Sequence, residues 1–253
     1  MFEIVRYSLE RAHEWNTFVA RSKNGTFLFD RRYMDYHADR FTDFSLMIYR
    51  QGALYALLPA SAEGDVLWSH RGLTYGGIVM TDKAMAERIQ QLFRELNDYL
   101  RDHGFRKVVY KTIPHIYHRV PSEEDWFSLF SICRAQLVDR SISSTVDLLQ
   151  PLKWRRDRKY GVDKAFANGV QVGVSNDWAE FWKVLETNLM HKYGAKPVHT
   201  LWEIELLHSR FPDDIRLFTA ERNGQILGGT VIYLSPMVAH AQYISASPEW
   251  KRS

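Results

Sequence analysis

Apolar residues recur along this chain with two periods, and the period changes mark the elements. Phe2 to Tyr7 alternates as a short strand does, and Leu9 to Ala20 places Ala12, Trp15, Phe18 and Val19 on one helical stripe. Asn24-Gly25 ends that helix. Arg31 to Arg40 predicts a second helix, with Tyr33, Tyr36 and His37 at i, i+3 and i+4; His37 reads there as a packed or capping histidine. Phe44 to Ala60 predicts a hairpin turning at Gln51-Gly52, and Val66 to Met80 a strand region containing His70-Arg71-Gly72 and Tyr75-Gly76-Gly77. A long amphipathic helix opens at Thr81-Asp82, with Met85, Ile89, Leu92, Phe93, Leu96 and Leu100 on one face and Gly104 as its stop. The nearly continuous apolar run Lys107 to Ile113 predicts a central strand buried on both faces. Ser122 fits the N-cap of a further helix with Asp125 in its first turn, and Ala135 to Leu148 predicts another strand.

A boundary falls near Gln150-Pro151. Val170 to Val174 is a predicted strand, and Asp177 to Tyr193 a helix with Trp178, Phe181, Trp182, Leu185 and Leu189 inward. Thr200-x-x-Glu203 is a capping box ahead of Ile204 and Leu207. A three-stranded meander follows from Ile215 to Trp250, turning at Asn223-Gly224, whose residue types suit a turn with φ > 0. The Gly228-Gly229 pair inside its second strand marks a bulge or a close backbone approach by a ligand. The order of elements repeats: Arg40-Phe41-Thr42-Asp43 precedes the first hairpin and Arg210-Phe211-Pro212-Asp213 the second, about 170 residues later, each after a helical segment. The second half lacks counterparts of the long helix and the buried strand. It therefore reads as a repeat cut short, or as a fragment, whose uncovered edge a second copy of the chain or a rearranged segment would cover.

Composition narrows the class without fixing the chemistry. In 253 residues, 45% hydrophobic and 25% charged content is that of a soluble globular protein of one or two domains. The single cysteine, Cys133, lies in an apolar run, excludes an intrachain disulfide and fits a reducing compartment. No leader-like apolar segment and no run near ~18 apolar residues is present, so the expectation is a cytoplasmic protein without a membrane span. A net charge of +3 gives no global case for nucleic acid, so any polyanion site is local. The one dense basic stretch runs from Lys153 to Lys164. It is either a solvated helix face or a phosphate-binding surface in which Arg155, Arg156 and Lys159 hold a phosphate and Tyr160 stacks beside it.

Strand, two helices, a meander, a long helix, a buried strand, a helix and a strand, over residues 1–148, resemble the GNAT acyltransferase fold. The segments Trp154 to Val162, Leu217 to Gly229 and Ala239 to Ser247 add a resemblance to the Fem-like branch, which joins two such units and includes peptidoglycan bridge-forming aminoacyl transferases. The implied fold is α/β (α+β): two tandem GNAT-like mixed sheets flanked by helices, 1–148 and 151–253, the second lacking its C-terminal half.

The implied reaction moves an acyl or aminoacyl group from acetyl-CoA, another acyl-CoA or an aminoacyl-tRNA to an amine, without a metal. The acceptor would be a small molecule or peptide such as a cell-wall precursor or sugar nucleotide. The alternative is a catalytically degenerate tandem-GNAT protein that binds a nucleotide-linked ligand or a protein partner. Carried onto this chain, the resemblance implies catalytic roles for His240, Gln242 and Tyr243, the first two on one strand face and the third on the other. It implies substrate contacts from Arg71, Tyr75, Arg155, Arg156, Lys159, Tyr160, Lys192, Tyr193 and Lys196, in a cleft between the repeats, and cofactor contacts from Gly228, Gly229 and Ser245. GNAT enzymes cradle the CoA pyrophosphate on a glycine-bearing loop at a helix N-terminus. The first repeat offers Thr81-Asp82-Lys83-Ala84 instead, and the second would begin its loop near Glu249 to Ser253.

Overall fold

The computed structural model describes residues 1–247, and chain contacts divide it into two compact units, 1–135 with 234–239 and 136–233 with the residues from His240 on. The first unit holds β1 (Glu3–Arg6), α1 (Ala12–Arg21), α2 (Arg31–Met34), β2 (Thr42–Asp43), β3 (Leu46–Arg50), β4 (Ala53–Leu58), β5 (Ser61–Glu63), β6 (Val66–Trp68), β7 (Val79–Met80), α3 (Ala86–Asp102), β8 (Lys107–Val109) and α4 (Glu124–Ser131). The remaining elements are α5 (Arg156–Ala167), β9 (Gln171–Ser175), α6 (Trp178–Tyr193), α7 (Leu201–Arg210), β10 (Ile215–Arg222), β11 (Gln225–Leu234) and β12 (Ala239–Ala246).

In the first unit an antiparallel sheet runs β1-β3-β4-β7, and a second sheet runs β2-β5-β6-β8 with β6 and β8 parallel. The stripe predicted for α3 is its core face from Ile89 on, whereas Met85 is the helix N-cap and is exposed, one turn ahead of the packed sheet. Ile89, Leu92 and Phe93 pack with Phe2, Ile48, Ala56, Ile78 and Met80, while Leu96 and Leu100 join Leu46, Leu58 and Leu67. Each such side chain contributes about 1.5–3 kcal/mol through burial.

In the first unit four sequence expectations need correcting. The Val66–Met80 region is two short strands in different sheets, parted by a loop over 70–77. β8 is an edge strand of three residues with Lys107 and Val108 exposed, because its sheet ends there. Helix α2 gives way after one turn to a 3-10 turn over Asp35–His37. Ser122 does not cap α4, whose N-cap is Glu123; its hydroxyl meets His118 Nδ1 at 3.1 Å instead.

His37 is packed, as its spacing implied. Its Nδ1 lies 2.6 Å from the Met34 carbonyl, and its ring stacks on Tyr36 and on His70. His70 sits in the left-handed region at φ 68° and is 3% exposed, with no partner for Nδ1. Beside it Arg31 donates to Asp35 at 2.5 Å and to Asp43 at 2.8 Å. Burial, then the neighbouring His37 ring, lower the His70 pKa to about 3, with Arg31 and Lys111 lowering it further and Asp43 opposing them.

The second unit has one antiparallel sheet in the order β9-β10-β11-β12, which matches β1-β3-β4-β7 of the first, strand for strand. Helices α6 and α7 follow β9 as α1 and α2 follow β1. Asp177 caps α6 by accepting from the Glu180 N–H, and Gly194 ends it in the left-handed region. The Thr200/Glu203 capping box is formed on both sides. The register of β10 on β11 slips between Ala220 and Glu221, opposite Ile226 to Gly228, beside the glycine pair. The strand predicted over 135–148 is absent. Those residues make no ladder, and Leu137, Ile142 and Val146 lie exposed, because an extended segment without a neighbour has no partner for its backbone groups. Among the described residues no helix is long and apolar enough to cross a membrane.

A pH dependence follows from His70. The unfolded chain takes up a proton below about pH 6.5, the folded chain only near pH 3, so this contribution to stability is whole above 6.5 and lost as the pH falls. Asn tolerates the left-handed region without titrating. Relative to His70→Asn, the native protein should lose about 2 kcal/mol between pH 6.5 and 5, at roughly 1.4 kcal/mol per unit. Denaturant titrations across that range measure it; parallel pH profiles would show that the ring does not carry the effect.

Candidate functional site

The predicted catalytic residues lie together on β12, the edge strand of the second sheet. Two glycines decide how this strand and α6 sit. A Cβ on Gly229 would lie 2.6 Å from the Phe218 carbonyl oxygen and 2.9 Å from the Phe181 ring. One on Gly228 would lie 2.8 Å from the Ser245 carbonyl oxygen and 3.0 Å from Ala246. The close approach expected at these glycines is therefore made by the protein's own helix and strand.

With Phe181 seated on the sheet, the next turns of α6 reach β12. Trp182 meets the Tyr243 ring edge-on at 5.2 Å. Asn188, 9% exposed, donates through Nδ2 to Ser245 Oγ at 2.7 Å and to the Ala246 carbonyl at 2.5 Å. Thr230 Oγ1 donates to the Tyr243 carbonyl at 2.9 Å. Ser245 is thus engaged by the helix.

The loop after α6 brings in a residue that sequence reasoning missed. His199 is buried, its backbone N–H donates to the Tyr243 hydroxyl at 3.3 Å, and its Nδ1 lies 2.5 Å from the same oxygen. The one signal for His199 is its place just before the N-cap Thr200, which fixes the loop end but does not say what the ring touches. Burial raises the Tyr243 pKa, with the His199 N–H and the Gln242 side chain opposing, so the phenol is held protonated at neutral pH. Burial lowers the His240 pKa against a bond from Gln242, so this imidazole is held neutral. A protonated phenol and a neutral imidazole thus lie three residues apart on β12, on opposite faces of the strand. Lys192, Tyr193 and Lys196 lie exposed in and before the 194–200 segment that carries His199. A groove of about 360 Å³ opens where the start of α6 faces the β10–β11 turn, lined by Glu180, Lys183, Thr187, Gln225 and Ser247.

The other predicted contacts lie elsewhere. Arg155, Arg156, Lys159 and Tyr160 are all exposed at the start of α5, a helix with no buried residue, and Arg155 faces Asp157 at 3.4 Å. Arg71 sits in the 70–77 loop paired to Glu63 at 2.5 Å and over the Trp68 ring. Tyr75 is 5% exposed, its hydroxyl 2.8 Å from Thr26 Oγ1 and its ring against Tyr117, so it belongs to the first unit's core.

Neither unit's described residues supply a pyrophosphate cradle. In the first, Thr81 bonds Asp82 at 3.0 Å ahead of α3, whose first turn carries Glu87. That is an acidic approach, unsuited to a diphosphate. The corresponding loop of the second, from Glu249 to Ser253, lies outside the described residues. No group of three or more metal-ligating side chains occurs among the described residues.

The Asn188 tie is open to test. Asn188→Ala removes both bonds to β12 and should cost about 1–3 kcal/mol, with amide exchange of residues 243–247 rising first. Stability and exchange patterns equal to those of the native chain would mean that β12 is held by its ladder alone.

No protein-family model matches the chain, and no curated protein does. Among solved structures, FemX aligns over 99% of this chain and 82% of its own, with a TM-score of 0.66 at 10% identity. A tandem GNAT protein from the clavulanic acid biosynthesis pathway aligns over 98% and 80%, with a TM-score of 0.43 at 10% identity. Glucosamine-6-phosphate N-acetyltransferase from Arabidopsis thaliana aligns over 58% and 99%, with a TM-score of 0.34 at 13% identity. At 10% identity the likeness to FemX is one of fold. With the strand-for-strand match between the two sheets, it gives the chain a FemX-like fold of two repeated units.

Proposed function

We propose that the chain is an acyl or aminoacyl transferase whose reaction takes place along the edge strand β12 of the second unit. The observation that carries this reading is the part-buried contact of His199 with the Tyr243 hydroxyl, on the same strand as a neutral His240. In transfer to an amine, a C–N bond forms at the acyl carbonyl and the C–S or C–O bond to the donor breaks. The amine gives up a proton, and the leaving sulfur or oxygen takes one.

Tyr243 is the acid for the leaving group. The His199 N–H stabilises the phenolate that forms, and the His199 ring returns the proton. His240 accepts the proton of the amine. A ligand lying along an edge strand can reach side chains of both strand faces, so His240 and Tyr243 can serve one substrate. Lys192 and Lys196 would meet an anionic acceptor, such as a phosphorylated or carboxylated precursor. The fold shared with FemX favours an aminoacyl ester as donor, with an acyl-CoA thioester as the alternative that the experiment separates.

The experiment incubates the whole chain with an amine acceptor and either aminoacyl-tRNA or acetyl-CoA, and follows the amide by mass spectrometry. Tyr243→Phe and His240→Ala should each lower turnover by about 10²-fold or more, the usual worth of a general acid or base, while the native circular dichroism is kept. Wild-type turnover in Tyr243→Phe would remove the acid from this residue. No amide from either donor, with ligand binding retained, would leave the chain as a binding protein of the same fold.

A further inference from the structure

The basic stretch from Lys153 to Lys164 plays no part in the transfer site, and packing does not account for it. It holds six lysines and arginines against two aspartates, a net +4 where the whole chain carries +3, so the remainder of the chain is slightly acidic, at −1. Every residue from Arg134 to Lys164 is exposed, and α5 buries nothing. Large apolar side chains are exposed among and just ahead of the cations: Leu148 at 78%, Leu149 at 92%, Leu152 at 85% and Trp154 at 66%. On α5 itself Lys159, Val162 and Phe166 fall at i, i+3 and i+7, so a basic and an apolar stripe share one side of the helix.

Three occupants compete for such a surface. A nucleic acid would take the cations and stack on Trp154 or Tyr160, but would leave the three leucines in water. A second copy of the chain would bring the same positive charge against it and be repelled. An anionic bilayer takes both halves, with headgroup phosphates meeting the lysines and arginines while leucine and tryptophan enter the interface. We infer that the segment from Leu148 to Phe166 is an interfacial strap that docks the chain flat on an anionic membrane surface. Docking is separate from the transfer reaction and does not depend on it. Attachment through such a strap is interfacial and is weakened by salt.

The test is flotation of the whole chain with vesicles of phosphatidylcholine alone and of phosphatidylcholine mixed with phosphatidylglycerol. The chain should float only with the anionic vesicles and be released at high salt. The variant Arg155→Glu/Arg156→Glu/Lys159→Glu should bind on the order of a hundredfold more weakly, given the usual contribution of each cation at such a surface. Leu149→Ser/Leu152→Ser/Trp154→Ser should lose about tenfold or more, since the apolar contacts go. Neither variant touches the core, so both should keep the native circular dichroism and melting temperature. Failure to float with anionic vesicles overturns the inference, and so does equal binding to neutral ones. If the leucine variant floats like the native chain, or self-association vanishes in that variant without vesicle binding in the native chain, the surface serves tRNA or a second copy instead.

Discussion

The aromatic ring of Phe181 lies directly on the backbone of Gly229, and the second unit's site follows from that contact. A helix can come this close to a sheet only where no Cβ intervenes. Once it does, its turns are spaced along β12. Trp182 falls against Tyr243, Asn188 falls against Ser245 and Ala246, and the helix end delivers the loop that carries His199. Gly228 completes the arrangement from below by letting β12 approach β11 at the same level. Glycines that look like a ligand's approach in the sequence are here the reason that a tyrosine hydroxyl and a histidine ring meet.

The first unit uses the same topology and spends its buried polar groups differently. Arg31 with Asp35 and Asp43, Lys23 with Glu124, and Tyr110 with Asp125 are all ties within the unit. Buried ion pairs add little net stability, but breaking one leaves an uncompensated charge, so they enforce one arrangement over its competitors. The 70–77 loop is held separately, by hydrogen bonds from His37 to the Gly72 carbonyl and from Lys111 to the Leu73 carbonyl. Arg71 and Tyr75 are taken up in contacts of that unit, Arg71 with Glu63 and Tyr75 with Thr26.

How much was legible in the sequence depends on how local the cause was. The stripes of α1, α3 and α6, the capping box of α7 and the Asn223-Gly224 hairpin are set by neighbours within a few residues, and they stand where the patterns put them. The duplicated order of elements was likewise readable, because it needs only the sequence of periods. What failed was decided at a distance. Lys107 to Ile113 has the composition of a central strand, but its place at a sheet edge depends on which strands are available to pair. Residues 135–148 have strand periodicity and no partner. Tyr75 flanks a glycine pair as a binding residue would, yet it points at Thr26, some fifty residues earlier. Asn188 could have been noticed as a polar residue on the apolar stripe of Phe181 and Leu185, whereas nothing local ties His199 to Tyr243.

The exposure of residues 134–164 bears on how this protein can change over generations. Surface substitutions away from packed features alter stability by no more than about 0.5 kcal/mol, whereas core changes commonly cost several times that. Along most of the chain a mutation is judged first by whether the fold survives it. Along this stretch that filter is nearly absent, so its run of cations and leucines is free to drift unless something it touches holds it in place. A run of cations and leucines kept there across relatives would therefore record contact rather than the demands of folding.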